Sequence, residues 1–343
     1  MKTIFIGPLG GGCTPKNGAS IKNYHIINSI KPLLKDLVII DTEKWKKSPT
    51  VLLRLIGTVI LNREARYILS TSFGSANTFI RALHRLCPKA IVVYWVIGGY
   101  VDKLILRGEI SPESYKHLHQ IIVEGASMKR NLNKCGLNNV VVMPNFKPIV
   151  EVPIVPRTAP APLKFVFLSR IIPDKGVELI IEAVSRLNQM EGVGFEVSFY
   201  GPMDKEYEQR FMSLISPLSN VSYCGFLDLR QKENYRVLTQ YDVMLFPTYW
   251  KTEGCPGVVI DAFMCGLAVV ASDWNLNADY ISNRQTGLII PPKDSSALAD
   301  AMLECIQNPA LVQAMQENSK KEVQKYAISN VLSRENLSRL GII

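Results

Sequence analysis

Glu253 and Asp261 are the two acids of the stretch TEGCPGVVIDAFMCG at 252–266, one before a turn built on Gly254, Cys255, Pro256 and Gly257, the other alone in an apolar run. A helix starting near Pro256 loses no hydrogen bond at the proline, and it leaves the first-turn N–H groups of Gly257 and Val258 for an anion or a sugar hydroxyl. Helical side chains lean toward the N-terminus. Asp261, about one turn further in, therefore points back toward the opening that Glu253 reaches from the loop. Both acids can then face one ligand. The plainer alternative is that Asp261 only interacts with the positive end of its own helix.

Opposite charge is supplied upstream. Ser169-Arg170 ends a strand, and Asp174-Lys175-Gly176 opens the next helix. Two cations five residues apart, beside a helix N-terminus, form a clamp for a diphosphate, because charge and unbonded N–H donors converge there; the alternative is a solvated loop. A second glycine cluster, GPLGGGCTPKNGAS at 7–20, contains Gly11 and Gly12 and lies between a strand and a helix, where backbone N–H groups can approach a phosphate or a sugar oxygen. It does not spell GxGxxG, and Asp41 in VIIDT is the one acid near the dinucleotide spacing, so a simple strand-to-helix loop is an equal reading.

The elements that must position these residues are short β-branched runs alternating with amphipathic segments. KTIFIG, LVIIDT, YILSTS, AIVVYWVIG, IIVEG and VVVMPN read as strands of a first half. KFVFLSR, FEVSFYG, VSYCGF, DVMLFPT, AVVASD and GLIIPP read as strands of a second. This alternation predicts parallel sheets covered by helices on both faces. KPIVEVPIVPRTAPAPLK at 147–164 carries five prolines and no helical period, so it reads as an extended linker. The expected organisation is a first domain at 1–150, a linker at 151–163, a second domain at 164–325, and a C-terminal helix at 326–343 that returns to the first domain.

A length of 343 residues suits two domains, and 47% hydrophobic with 20% charged residues describes an ordinary globular chain. The seven cysteines are widely spaced without CxxC pairs, which fits a reducing cytosol, and no signal-peptide core follows the N-terminus. No apolar run reaches the roughly 18 residues of a membrane span. The net charge of +9 calls for an anionic partner: nucleic acid, a lipid surface or a phosphorylated small molecule. No helix-turn-helix or aromatic-basic repeat supports nucleic acid.

FLSRIIPDKGVELIIEAV, FYGP, YCGF, DVMLFPTYWKTEGCPGVVIDAFMCGLAVVASD and TGLIIPPKDSSALADAM occur in the order and spacing of retaining glycosyltransferases of family 4, which the second half resembles closely and the first half more weakly. The resemblance implies the GT-B fold, an α/β architecture of two Rossmann-like doubly wound domains facing across a cleft. It implies a UDP- or GDP-linked sugar as donor substrate, with no cofactor. Arg170 and Lys175 would grip the donor diphosphate. Gly201 and the Gly225-Phe226 loop would border the nucleotide, Glu253 would contact the donor sugar, and the backbone from Gly254 to Val258 would surround sugar and phosphates. Asp261 stands where the family carries a second glutamate that binds ribose hydroxyls, one methylene shorter.

After AIVVYWVIG, where many relatives carry a histidine near the reacting sugar, this chain has Gly98 and Gly99, with Asp102 the nearest proton acceptor. No Asp-x-Asp triplet is present, so the expected transfer is metal-independent and leans on cations, helix dipoles and positioning. Relatives of this size imply a glycan acceptor on a lipid diphosphate carrier in polysaccharide synthesis, on the cytoplasmic side and peripheral to the membrane. The segment EKWKKSPTVLLRLIGTVILNREARY, with Lys44, Trp45, Lys46 and Lys47, suits an anionic membrane surface, or else a core helix with a solvated basic approach. A nucleotide-sugar epimerase of the same fold, a catalytically silent sugar-binding subunit and a nicotinamide oxidoreductase are the alternative functions.

Overall fold

The structure, a computed structural model, describes residues 1–11, 15, 17–43, 45, 47–153 and 162–343. Gly12, Lys44, Lys46 and most of the proline-rich linker lie outside the described residues. The chain divides into two compact units: Met1–Phe146 with Ile328–Ile343, and Lys147–Ala327.

In the first unit β1 (Thr3–Gly7), β2 (Leu37–Asp41), β3 (Arg66–Thr71), β4 (Ile91–Val96), β5 (Gln120–Val123) and β6 (Val140–Val142) form one parallel sheet in the order β2-β1-β3-β4-β5-β6. The runs IFI, YIL, VVYW and IIV are covered on both faces, which is why they read as unbroken apolar strings. Helix α1 (Gly18–Ile30) begins on a reciprocal cap between Asn17 and Ser20 and gives way to a 3₁₀ turn at Lys31–Leu33, where Pro32 lacks the N–H needed to continue it. Helix α2 (Pro49–Leu61) starts on a proline, and α3 (Phe73–Leu86) buries Ala76, Phe79, Ile80 and Leu83. Between β4 and β5 lie two short helices, Val101–Leu106 and Glu113–Lys116, too brief to show a period. Val331, Leu337, Leu340 and Ile342 of the C-terminal segment join the same core as Phe5, Trp95 and Ile122.

In the second unit β7 (Leu163–Leu168), β8 (Phe195–Tyr200), β9 (Val221–Tyr223), β10 (Val243–Phe246), β11 (Ala268–Ser272) and β12 (Gly287–Ile290) form a parallel sheet in the order β12-β11-β10-β7-β8-β9. The chain runs outward from β7 through β9, then returns to the other side of β7 with β10. A crevice at such a reversal lies beyond the C-terminal ends of the two neighbouring strands. Those ends are Leu168, followed by Arg170, and Phe246, followed by the loop carrying Glu253.

Candidate functional site

The loop after β7 and the loop after β10 are fastened to each other. Tyr249 N–H donates to the Asp174 carbonyl at 2.9 Å, and the Thr248 hydroxyl oxygen lies 3.4 Å from the same carbonyl. Gly176 has φ 82°, and a Cβ there would meet the Pro247 carbonyl oxygen at 2.3 Å, so only glycine lets the two loops approach this closely. Lys175, which is buried, is thereby aimed at the Glu253 carboxylate and ion-paired with it. Thr248 Oγ1 donates to the same Glu253 oxygen at 3.1 Å, and the Phe246 ring lies 5.9 Å from the Lys175 ammonium.

The loop after β11 holds this arrangement from behind. Ser272 Oγ donates to the Thr248 carbonyl at 2.5 Å, Trp274 Nε1 to the Trp250 carbonyl at 2.8 Å, and Asn275 Nδ2 to the Glu253 carbonyl at 2.9 Å. Asn275 takes a left-handed φ of 51°, a conformation that asparagine tolerates better than most residues. These polar contacts fix the backbone that carries Glu253, as a binding constellation requires.

Arg170 is exposed, with its guanidinium 4.9 Å from the centre of the Trp250 ring, and Lys293, after β12, stands 5.0 Å from Tyr249. The cations of the rim therefore come from two strand ends, after β7 and β12, and the rings beneath Arg170 and Lys293 come from the loop after β10. Gly201 (φ 149°) donates its N–H to the Gly225 carbonyl at 2.9 Å, and a Cβ on it would lie 1.7 Å from the Ser169 carbonyl oxygen. Its part is to let the end of β8 close onto the strand end that carries Arg170. Phe226 follows with 64% of its surface exposed, an aromatic face the core does not use.

Helix Gly257–Met264 starts directly after Pro256 with no side-chain cap, and Gly257 and Val258 are partly exposed at its first turn. Its open N–H groups and positive dipole end suit an anion. Asp261 is 3% exposed, and both of its oxygens are engaged: one is ion-paired with Lys147, the other accepts from the Tyr235 hydroxyl at 2.6 Å. Burial first, then the Asp261 charge, push the Tyr235 phenol well above its ordinary range. Burial, with Asp261 second, does the same to the Cys265 thiol. Lys147 also donates its N–H to the Tyr326 carbonyl at 3.0 Å, so the lone acid ties the helix to the segment entering the second unit.

Of the residues singled out in the sequence, the structure thus brings Arg170, Lys175, Gly201 and Glu253 to neighbouring strand ends. Asp261 is committed to side-chain partners that its own surroundings in sequence do not announce. Thr248, Trp274, Asn275, Lys293, Tyr235 and Lys147 were missed. The available signal was that Thr248, Trp274, Asn275 and Lys293 each lie two or three residues after a strand.

In the first unit, Asp41 does not stand open beside a ligand. Its carboxylate accepts from the N–H groups of Leu9 at 2.9 Å, Gly11 at 2.8 Å and Glu43 at 2.9 Å, so the Gly11 donor serves the loop itself. This arrangement counts against a dinucleotide site, which needs that acid for ribose. Gly98 has φ 88° and begins, with Gly99, the turn after β4. Asp102 is 2% exposed and accepts from Asn131 Nδ2 at 2.8 Å. Among the described residues no group of three or more His, Cys, Asp or Glu side chains is placed to hold a metal ion.

Two parallel α/β units of this kind make the GT-B fold. A solved galactosyltransferase of the lipopolysaccharide outer core, WaaB, superposes over 100% of both chains with a TM-score of 0.78 at 14% identity. Anabaena HepE, crystallised with UDP, superposes over 99% of this chain and 100% of its own with a TM-score of 0.72 at 15% identity. In sequence, residues 155–322 match the family model of glycosyl transferases group 1. The amylovoran biosynthesis glycosyltransferase AmsK of Erwinia amylovora is 30% identical over 154 residues, 43% of this chain. That match spans 37% of the relative's own length.

Proposed function

We propose that this chain is a retaining glycosyltransferase that moves a sugar from a nucleoside diphosphate to a glycan acceptor. The observation that carries the reading is the Lys175–Glu253 pair at the reversal point of the second sheet, between Arg170 and the open end of helix Gly257–Met264. Cations and a helix N-terminus suit a leaving diphosphate, and a carboxylate held rigidly beside them suits the hydroxyls of the sugar. HepE was solved with UDP, and several relatives are named for bacterial polysaccharide synthesis; both support a UDP- or GDP-linked donor and an acceptor of that class.

In this reading the sugar–phosphate bond opens through an oxocarbenium-like state, and Arg170, Lys175 and the Gly257 and Val258 N–H groups stabilise the departing diphosphate. The acceptor oxygen attacks from the same face and passes its proton to an oxygen of the departing diphosphate as the new bond forms. Phe226 offers a stacking face for the base. The acid nearest the ribose position, Asp261, is held by Lys147 and Tyr235, so Lys147 shares that end of the site. The transfer needs no metal, and the acceptor is a glycan on a lipid diphosphate carrier, which places the enzyme at the cytoplasmic face of a membrane.

Thermal shift against UDP- and GDP-sugars, followed by transfer of labelled sugar to a membrane extract, tests this. A donor that binds the native state raises its melting temperature by mass action. No shift with any nucleotide sugar would overturn the reading, and unchanged turnover in both Lys175→Ala and Glu253→Ala would overturn the site. Binding without transfer would identify a sugar-binding subunit instead.

A further inference from the structure

Helix α2 turns an apolar face outward. Leu55 and Val59 are its buried residues, whereas Leu52, Leu53, Ile56, Ile60 and Leu61 are all exposed, Leu53 at 68% and Leu61 at 83%. These are five of the thirteen large hydrophobic side chains exposed among the described residues, gathered on one short helix. At about 100° per residue, Leu52, Leu53, Ile56 and Ile60 fall within an arc of about 100°, so they form a stripe and not a scatter. A continuous apolar surface of this kind marks a site of association.

The charges on α2 and flanking it are predominantly cationic. Helix α2 contains no acid, Lys47 precedes it, Arg54 lies on it and Arg63 follows it, and all three cations are exposed. Arg54 donates to the Ile39 carbonyl at 3.3 Å, which leaves its charge uncompensated, while the neighbouring Glu64 is paired with Lys89 at 3.2 Å. Pairing this face with a second copy about a two-fold axis would bring the same surface patch together from both copies, cations included. At 13 residues α2 is about 20 Å long, too short to cross a hydrocarbon layer of about 30 Å. An apolar stripe flanked by cations is what a helix lying in an anionic interface requires.

We propose that α2 docks the first unit on an anionic lipid leaflet, with Leu53, Ile56 and Ile60 among the acyl chains and Lys47, Arg54 and Arg63 at the headgroups. The docking rests on the lipid-carried acceptor proposed above for its purpose: it holds the enzyme where such an acceptor is embedded.

Sedimentation of the full chain with phosphatidylcholine vesicles, with and without phosphatidylglycerol, tests the docking. The wild type partitions onto phosphatidylglycerol vesicles at low salt and leaves them as salt rises. Leu53→Asp/Ile60→Asp lowers that partition by about tenfold or more, and Arg54→Gln/Arg63→Gln weakens both the preference for phosphatidylglycerol and the salt dependence. Both side chains of the first variant are exposed, so its melting temperature and its thermal shift with nucleotide sugars stay at wild-type values. Absence of wild-type binding to phosphatidylglycerol vesicles overturns the docking, as does wild-type binding by Leu53→Asp/Ile60→Asp. A dimer in sedimentation velocity that this variant abolishes would also overturn it, by assigning the face to a second copy. Nucleotide-sugar shifts on the same samples read the proposed function separately, since vesicle binding without any shift would sink that function and leave the docking standing.

Discussion

Lys175 and Glu253, 78 residues apart in the chain, form an ion pair whose side chains are only 7% and 14% exposed, at the strand ends where the second sheet reverses. Withdrawing one partner leaves the other charge with little water around it. Lys175→Met and Glu253→Gln are each expected to cost about 3 kcal/mol in urea unfolding, whereas the double variant recovers a large part of that loss. Transfer activity is lost in all three, which separates the stability of the pair from its use.

Gly201→Ala meets a backbone oxygen that cannot move aside, at a φ that other residues avoid. The expected cost is about 3 kcal/mol or more, with weaker nucleotide binding because the strand end carrying Arg170 must shift. Gly194→Ala is the control. It has open space around it and ordinary φ, so its melting temperature should stay near that of the wild type.

Tyr235→Phe removes the donor to one Asp261 oxygen and leaves a buried carboxylate partly unsatisfied. Chemical denaturation is expected to show a loss of about 1.5–3 kcal/mol. Asp261→Asn also removes the charge that pairs with Lys147, and a double-mutant cycle between Tyr235→Phe and Asp261→Asn should show strong coupling.

Burial raises the phenols of Tyr94 and Tyr235 well above the ordinary value of 10.0 and that of Tyr115 to about 12. Their folded pKa lies above the unfolded one, so the stability they confer is fully present below about pH 10 and is lost as pH rises through the folded pKa. Melting temperature measured from pH 9 upward should fall once about pH 10 is passed, and Tyr115→Phe should make that fall shallower.

Thiol labelling of the native chain should be graded. Cys224 is exposed, whereas Cys87, Cys265 and Cys305 are buried, and burial holds the Cys305 thiol at about 12. At pH 8 a disulfide reagent is expected to modify Cys224 quickly and these three only on unfolding, because the thiolate is the reactive form.

The alternation of apolar strands and amphipathic helices was legible residue by residue, because parallel strands buried on both faces must be uniformly apolar and their helices must carry one apolar side. The placement of Arg170, Lys175 and Glu253 in loops that follow strands was legible, because position relative to an element is a local property. The two short helices after β4 were not, since elements of four to six residues have no measurable period.

What the chain could not declare by itself is which distant group answers each charge. Asp41 holds Leu9 and Gly11, Asp261 binds Lys147 and Tyr235, and Glu253 takes Lys175, because folding brings residues far apart in sequence into contact. The apolar period of α2 likewise predicts a buried face, but not that a second apolar stripe stays open to solvent. Sequence determines local conformation and the side each residue shows; tertiary packing alone decides what meets that side, since burial and pairing depend on the whole chain closing around it.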